Sequence, residues 1–436
     1  MSFASAPSFS GFPATRVRCM LCGTIAEDNV RVGECASCGG LLDIEFEFTQ
    51  PIGRDDFALV PPEARVNSGV WRYRQMLPWF PVESIVTRAE GFTPIYWDER
   101  LARYGGVGRL GLKHEGQNPT GSFKDRGMTV GMTHAKFVGA SMVACASTGN
   151  TSASLASYAA AAGMVALVLI PEGKIAGGKL AQTIAHGARI VQVEGDFDIA
   201  LQMLRELTST YPVYLVNSVN PYRVEGQKTI VIEMFEQLDW QVPDVIALPG
   251  GNLGNTAAFG KALIDLNQAG LIDRVPRLLT VQAEGASPFV DYVDSGFDRF
   301  EPVVADTIAT AIKIGNPASV ERARRAIQFT GGMAARVSDV EIMEAKAMID
   351  RCGIGCEPAS AATLAGIRKQ VGLGLIDPDA HVVGVLTGHL LKDTEAVVHF
   401  HLGEADTDRS ALVNRPVSIP ASMDALKRTL SDALQD

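Results

Sequence analysis

Lys124 lies in the run Asn118-Pro119-Thr120-Gly121-Ser122-Phe123-Lys124-Asp125-Arg126-Gly127. The first four residues have turn chemistry, because Pro119 fixes φ and Gly121 can take a positive φ. A helical run is expected from about Ser122 to Val138, with Ser122 as N-cap and Asp125 completing a capping box. Lys124 then falls in the first turn, where the helix dipole disfavours an ammonium. A structural lysine is poorly placed there, whereas an amine that must be neutral to attack a carbonyl is well placed. Taken alone, the run would read as a solvated lysine on an ordinary loop.

Three further stretches change that reading. Ala146-Ser147-Thr148-Gly149-Asn150-Thr151 follows an apolar run and precedes an alanine-rich helix. Small polar residues at such a strand-to-helix junction leave N–H groups free for a carboxylate. Pro249-Gly250-Gly251-Asn252-Leu253-Gly254-Asn255 follows the strand-like run from Asp244 to Leu248. Its glycines let the backbone wrap an anion, although it lacks the Walker lysine and the GxGxxG spacing. A third strand from Val382 ends in Thr387-Gly388. A reactive lysine, a carboxylate loop, a phosphate loop and a strand-end hydroxyl together fit pyridoxal phosphate. Its aldehyde would take Lys124, its phosphate the Gly251–Asn255 loop and its ring nitrogen Thr387. Asn150 would bond the ring hydroxyl oxygen, and Ser147, Thr148 and Thr151 a substrate carboxylate.

The words NPTGSFKDRGM, CASTGNTSAS, IPEGKIAGGKLAQ, LVNSVNPYRVEGQKT, IGNPAS, EPASAATLAGI and LTGHLLKD run in order from about residue 70 to 400. With them the chain resembles the tryptophan-synthase-β-like, fold type II pyridoxal-phosphate enzymes, and among these the threonine synthase family most closely. The resemblance implies O-phospho-L-homoserine as substrate, with phosphate leaving from Cγ and water adding at Cβ. It assigns proton transfer to Lys124, and the leaving phosphate to Asn217 and Arg223, with Lys113 as a further contact. Leu390 departs from the family pattern, which has a small residue there. The competing readings are a serine/threonine dehydratase, a β-replacement enzyme of the cysteate synthase kind acting on O-phosphoserine, and a catalytically dead regulator. Arg223 weighs against a dehydratase, which has no leaving phosphate to neutralise, and Lys124 weighs against a dead protein.

Cys19, Cys22, Cys35 and Cys38 form C-x2-C-x12-C-x2-C. Paired knuckles at this spacing place four thiolates around one tetrahedral ion, so the segment reads as a zinc ribbon with a structural role. Cys145, Cys352 and Cys356 read as core residues, and His114, His134 and His389 as packing residues.

Elements that could position these groups follow from periodicity. From 138 to 220, short strands alternate with helices, and the rhythm resumes over 228–283 and 338–400. This predicts an α/β protein with two doubly wound parallel-sheet domains and ligand at the strands' carboxyl ends. The expected organisation is a ribbon-like segment over 1–48, loose to about residue 15, and a polar linker over 49–62. A large domain takes 49–137 and 221–405, a small mobile domain 138–220, and a helical tail 406–436. The 436 residues are 47% hydrophobic and 20% charged, as in ordinary globular proteins, and 39 basic against 49 acidic residues give a net charge of −10. That balance argues against nucleic acid as a partner. No apolar run is long enough to span a bilayer, and the first 18 residues lack a signal-peptide core. The expectation is a cytoplasmic homodimer acting on a small phosphorylated amino acid, with no membrane partner.

Overall fold

The computed structural model describes residues 12–27, 33–57, 69–172, 177–195, 197–403 and 410–433. Near its start, β1 (Ala14–Cys19), β2 (Ile25–Ala26) and β3 (Leu42–Glu47) form an antiparallel sheet in the order β2-β1-β3. The looseness expected to residue 15 is corrected at its end: Ala14 and Thr15 pair with Glu47 and Phe46. Residues 1–11 lie outside the described residues. The expected linker is corrected too. Phe57 is fully buried against Tyr73 and Trp240, so one aromatic pins the segment to the body. Residues 58–62 of that linker are outside the described residues.

Then come β4 (Ile95–Trp97), α1 (Glu99–Gly105), β5 (Arg109–His114) and α2 (Lys124–Phe137). A βα series follows: β6 (Met142–Ala146), α3 (Asn150–Ala162), β7 (Val165–Pro171), α4 (Gly177–Ala185), β8 (Arg189–Val193), α5 (Phe197–Thr210) and β9 (Val213–Leu215). Next stand α6 (Pro221–Gln237), β10 (Val245–Pro249), α7 (Gly254–Gln268), β11 (Arg277–Ala283), α8 (Pro288–Asp294) and α9 (Val320–Thr330). The series ends with β12 (Met333–Val337), α10 (Asp339–Arg351), α11 (Pro358–Gly372) and β13 (His381–Leu386). Helices α12 (Thr394–Leu402) and α13 (Met423–Ala433) belong to a separate compact unit that begins at Thr394, earlier than the expected boundary at 405.

The larger sheet has the order β12-β11-β10-β13-β5-β4, parallel except for the β4–β5 edge. Its strands are apolar on both faces. Ile246, Leu248, Val383 and Val385 join one core, while Val245, Ala247, Val382 and Leu386 join the other. Such double burial is what a parallel sheet covered by helices requires. The smaller sheet, β8-β7-β6-β9, is wholly parallel and is inserted between β5 and β10. No helix among the described residues is long and apolar enough to cross a membrane.

Helices α2 and α6 lie backbone against backbone. A Cβ on Gly226 would stand 1.9 Å from the Arg126 carbonyl oxygen, so only glycine permits this approach. An internal ion cluster locks the pair. Arg126 donates to Glu115 at 2.7 and 2.9 Å and to Glu233 at 2.7 and 3.1 Å. Burial alone would push the Glu233 carboxyl up, but Arg126 and Lys113 outweigh it and hold the group well below its usual range. The ends of α2 and α6 that carry Lys124 and Arg223 are thereby held in register.

Candidate active site

Four loops converge. The Lys124 turn follows β5, and the Ser147 loop follows β6. The Gly250 loop follows β10, and Thr387 follows β13. The first and last are tied by the Phe123 N–H donating to the Thr387 carbonyl at 3.0 Å and the His389 N–H donating to the Gly121 carbonyl at 2.9 Å. Lys124 is the first residue of α2 and half-buried. Burial, reinforced by the Arg223 guanidinium, lowers its amine to about 7.

Ser122 does not cap α2 as expected. Its hydroxyl has no protein partner, and Phe123 takes the cap position without a side-chain bond. Asp125 turns back to accept from the Thr120 N–H (2.7 Å), the Thr120 hydroxyl (2.6 Å) and the Ser154 hydroxyl (2.6 Å). It therefore fastens the lysine turn to α3 rather than completing a capping box.

Asn150 opens α3, and its amide donates to Glu357 at 3.1 and 3.3 Å. Glu357 is only 4% exposed and stands immediately before α11. Burial pushes its carboxyl up, with the Asn150 amide opposing. Sequence reasoning assigned Glu357 no role. The available signal was its position in EPASAAT, directly ahead of a Pro-started helix. Ser147 and Thr148 sit half-buried on the loop before α3 and Thr151 half-buried in its first turn, and the Ser147 hydroxyl accepts from the Gly149 N–H at 3.2 Å.

The glycine loop turns sharply into the N-terminus of α7. Leu253 adopts left-handed backbone (φ 61°) while 2% exposed, a strained state for a non-glycine residue. Asn252 is tied down by the Ala318 N–H (3.0 Å) and the Ser319 N–H (3.3 Å). Gly251 packs on Ala311 and Ile312, and Gly254 begins α7. Both polar atoms of the Asn255 side chain, the Gln227 Oε1 and the Ser319 hydroxyl are buried without a protein partner. Groups in that state are costly unless a ligand satisfies them. Gln227 and Ser319 were also missed, although Gln227 stands at i+4 from Arg223 on α6 and so shares its face. Thr387 is 4% exposed and lies 3.0 Å from the Ser360 hydroxyl.

Arg223 is fully buried in the first turn of α6. One terminal nitrogen donates to the Val216 carbonyl at 3.0 Å, whereas Nε and the other terminal nitrogen have no protein partner. Burial lowers its guanidinium to about 10. Asn217 is held by Ala146 at 3.3 and 3.4 Å, which keeps it beside the Ser147 loop. Lys113 is not with them. Its ammonium is saturated by Glu233 (2.5 Å), Gln237 (2.7 Å) and the Thr93 carbonyl (2.7 Å), and its side chain is fully buried. The expected contact to a substrate phosphate is corrected accordingly. Leu390 packs over Gly355, and His114 and His134 are engaged by the Gly355 carbonyl and the Tyr214 hydroxyl.

The Sγ atoms of Cys19, Cys22, Cys35 and Cys38 all lie within 4.8 Å of one another. Hydrogen bonds at Thr24 lower the Cys22 thiol to about 6, which favours a thiolate ligand.

The family described as “Pyridoxal-phosphate dependent enzyme” matches residues 86–388. A threonine synthase of Methanosarcina acetivorans is 44% identical over 417 residues, covering 95% of this chain and 98% of its own length. One of Methanocaldococcus jannaschii is 43% identical over 417 residues, 95% of this chain and 99% of its own. One of Mycobacterium tuberculosis is 47% identical over 333 residues, 75% and 89%. Among solved structures, the processed form of threonine deaminase isoform 2 from Solanum lycopersicum superposes with a TM-score of 0.61 at 19% identity, covering 80% of this chain and 96% of that one. At that identity the likeness is one of fold.

Proposed function

The chain belongs to the pyridoxal-phosphate dependent enzymes, and from that premise we propose that it is a threonine synthase, converting O-phospho-L-homoserine and water into L-threonine and phosphate. The relatives' names support the reaction. Within the chain, the observation that carries a phosphorylated substrate is Arg223, a buried guanidinium with two unpartnered nitrogens beside the reactive lysine. An unpaired buried cation is costly, and a planar fork of donors suits a phosphate.

The residues fit the cofactor. Lys124 would hold the aldehyde carbon. Asn255, Ser319, Gln227 and the N–H groups opening α7 would hold the phosphate, and Gly251, Asn252, Leu253 and Gly254 shape their loop. Thr387 would meet the ring nitrogen and Asn150 the ring hydroxyl oxygen. When bound, the cofactor withdraws electrons from a carbanion beside the substrate nitrogen. Lys124 would move protons at Cα, Cβ and Cγ of the substrate. Ser147, Thr148 and Thr151 hold the carboxylate while Asn217 and Arg223 hold the departing phosphate, and water adds at Cβ. The 138–220 segment is taken as the small mobile domain, and the protein as a cytoplasmic homodimer.

The deciding experiment is phosphate release from O-phosphohomoserine against O-phosphoserine, with the amino acid formed identified. Threonine from the first, with little release from the second, is expected. Preferential use of O-phosphoserine would replace the reading with a β-replacement enzyme.

The lowered amine of Lys124 has a pH signature. A group whose ammonium is disfavoured becomes neutral once the pH passes about 7. Capture of pyridoxal phosphate by cofactor-free protein should therefore accelerate from about pH 6 to about pH 8 and then level off, whereas an ordinary lysine accelerates to about pH 10. Stopped-flow absorbance reads this directly, and a rate still climbing tenfold per unit above about pH 8 would contradict the assignment.

Zinc is the ion proposed for the four cysteines, with a structural role. Cys19→Ser or Cys35→Ser should lower metal content and reduce Tm by roughly 5–10 °C, with kcat little changed. Metal-free protein that keeps its Tm but loses kcat would show that the site is not structural.

A further inference from the structure

The ribbon and the substrate-phosphate turn share one side chain. Arg322, on α9, is 1% exposed. Two of its nitrogens donate to the Val219 carbonyl, both at 3.3 Å, and one of them also donates to the Leu42 carbonyl at the start of β3. A buried charge is thus committed to two neutral acceptors, 103 and 280 positions away in the chain. Glycine at position 33 marks the same contact from the other side. A Cβ there would stand 2.4 Å from the Val219 oxygen, and the Gly33 carbonyl accepts the Leu42 N–H at 3.1 Å.

Val219 lies in the turn that carries Asn217 and leads into α6, whose first turn carries Arg223. Asn217 precedes it by two positions, and Asn220 caps α6 by accepting from the N–H groups of Tyr222 (3.0 Å) and Arg223 (3.4 Å). Tyr222 packs in the ribbon's apolar cluster with Leu42, Phe80 and Cys35. At the head of α9, the Ser319 N–H donates to the Asn252 carbonyl in the glycine loop. One helix therefore abuts the cofactor loop at its start and grips the phosphate turn in its first turns.

Building on the phosphate site proposed above, we propose that Arg322 is a positioning residue for the leaving phosphate: it clamps the Val219 carbonyl between α9 and the cysteine ribbon and so fixes where Arg223 and Asn217 point. Arginine suits the task because a rigid multi-donor fork spans two carbonyls at once, which a lysine ammonium on a flexible stem does less well. The clamp matters because Arg223 is buried with two donors unpaired, so a loosened turn would let it relax toward other acceptors. The ribbon then serves as the floor of the substrate-phosphate site and not only as a stabiliser.

The test compares Arg322→Ala, Arg322→Lys and Gly33→Ala in the full-length, cofactor-loaded enzyme. KM for O-phosphohomoserine and the inhibition constant of inorganic phosphate should rise about tenfold or more in Arg322→Ala, because even a 1 Å misplacement costs up to about a hundredfold. Arg322→Lys should fall between wild type and alanine, and Gly33→Ala should move the same constants upward. Deamination of L-threonine, assayed as a slow side reaction whose substrate carries no phosphate, should stay within about twofold, a split that general loss of packing would not produce. Equal losses on both substrates, or unchanged KM and phosphate inhibition, would overturn the clamp. If Arg322→Ala does not fold, the other two variants decide by the same criteria. Phosphate inhibition that survives Arg223→Ala would instead overturn the phosphate site itself. Inhibition weakened by Arg223→Ala but not by the Arg322 and Gly33 variants would remove only the clamp.

Discussion

Lys124→Ala should leave a folded protein with essentially no threonine formation, a loss on the order of 10⁴- to 10⁶-fold in kcat, as for removal of a nucleophile that also moves protons. The fold should survive because the lysine is half-buried at the start of α2 and makes none of the contacts that hold α2 to α6. Those belong to Arg126, Glu115 and Glu233. Removing an amine whose charged form is disfavoured by burial and by Arg223 should leave Tm unchanged or slightly raised. Phosphate release, Tm and the visible absorbance of the cofactor-loaded protein measure the three consequences. More than a trace of turnover in a preparation free of wild-type enzyme would end the assignment.

Arg223→Ala should raise KM for the phosphorylated substrate and lower kcat. The guanidinium binds the ground state, and it also meets charge that grows on the departing oxygens. The expected cost is about 2–4 kcal/mol in kcat/KM, or roughly thirty- to a thousandfold. Cofactor binding should persist, since the phosphate site proposed at Asn255, Ser319 and the opening of α7 does not include Arg223. Deamination of serine or threonine should change far less. Equal losses on both substrates would mean that Arg223 supports the fold or the carboxylate loop. A second consequence follows from burial. With two guanidinium nitrogens unpartnered, Arg223→Met should raise the Tm of ligand-free protein, because a desolvated, unpaired cation is replaced by an apolar chain of similar length. A lowered Tm would show that the arginine is paid for elsewhere in the fold.

Much of the candidate site is legible in the sequence, because its pieces are local. The Asn118–Gly121 turn, the glycine loop after β10, the polar loop after β6 and the paired cysteine knuckles each express their chemistry within about a dozen residues. Turn preferences, strand period and ligand spacing act at that range. Lys124 in the first helical turn was legible for the same reason, although the residues around it were not. Ser122 looked like a cap by spacing, yet Asp125 is drawn to Thr120 and to Ser154 on α3, a hydroxyl that sequence distance hides.

Tertiary packing decided the remainder, and long-range electrostatics is the common reason. Lys113 resembles any basic residue at the end of a strand, and only the approach of α6 buries it against Glu233 and removes it from the substrate. Glu357 meets Asn150 across 207 residues, and Arg322 meets Leu42 across 280. A buried charge must find its acceptors wherever the fold places them, and no periodicity or spacing along the chain records that choice. Residue types and local pattern determined which groups are present and which loops carry them. The packing of α2 on α6, and of the ribbon on the Val219 turn, decided which of those groups face one another.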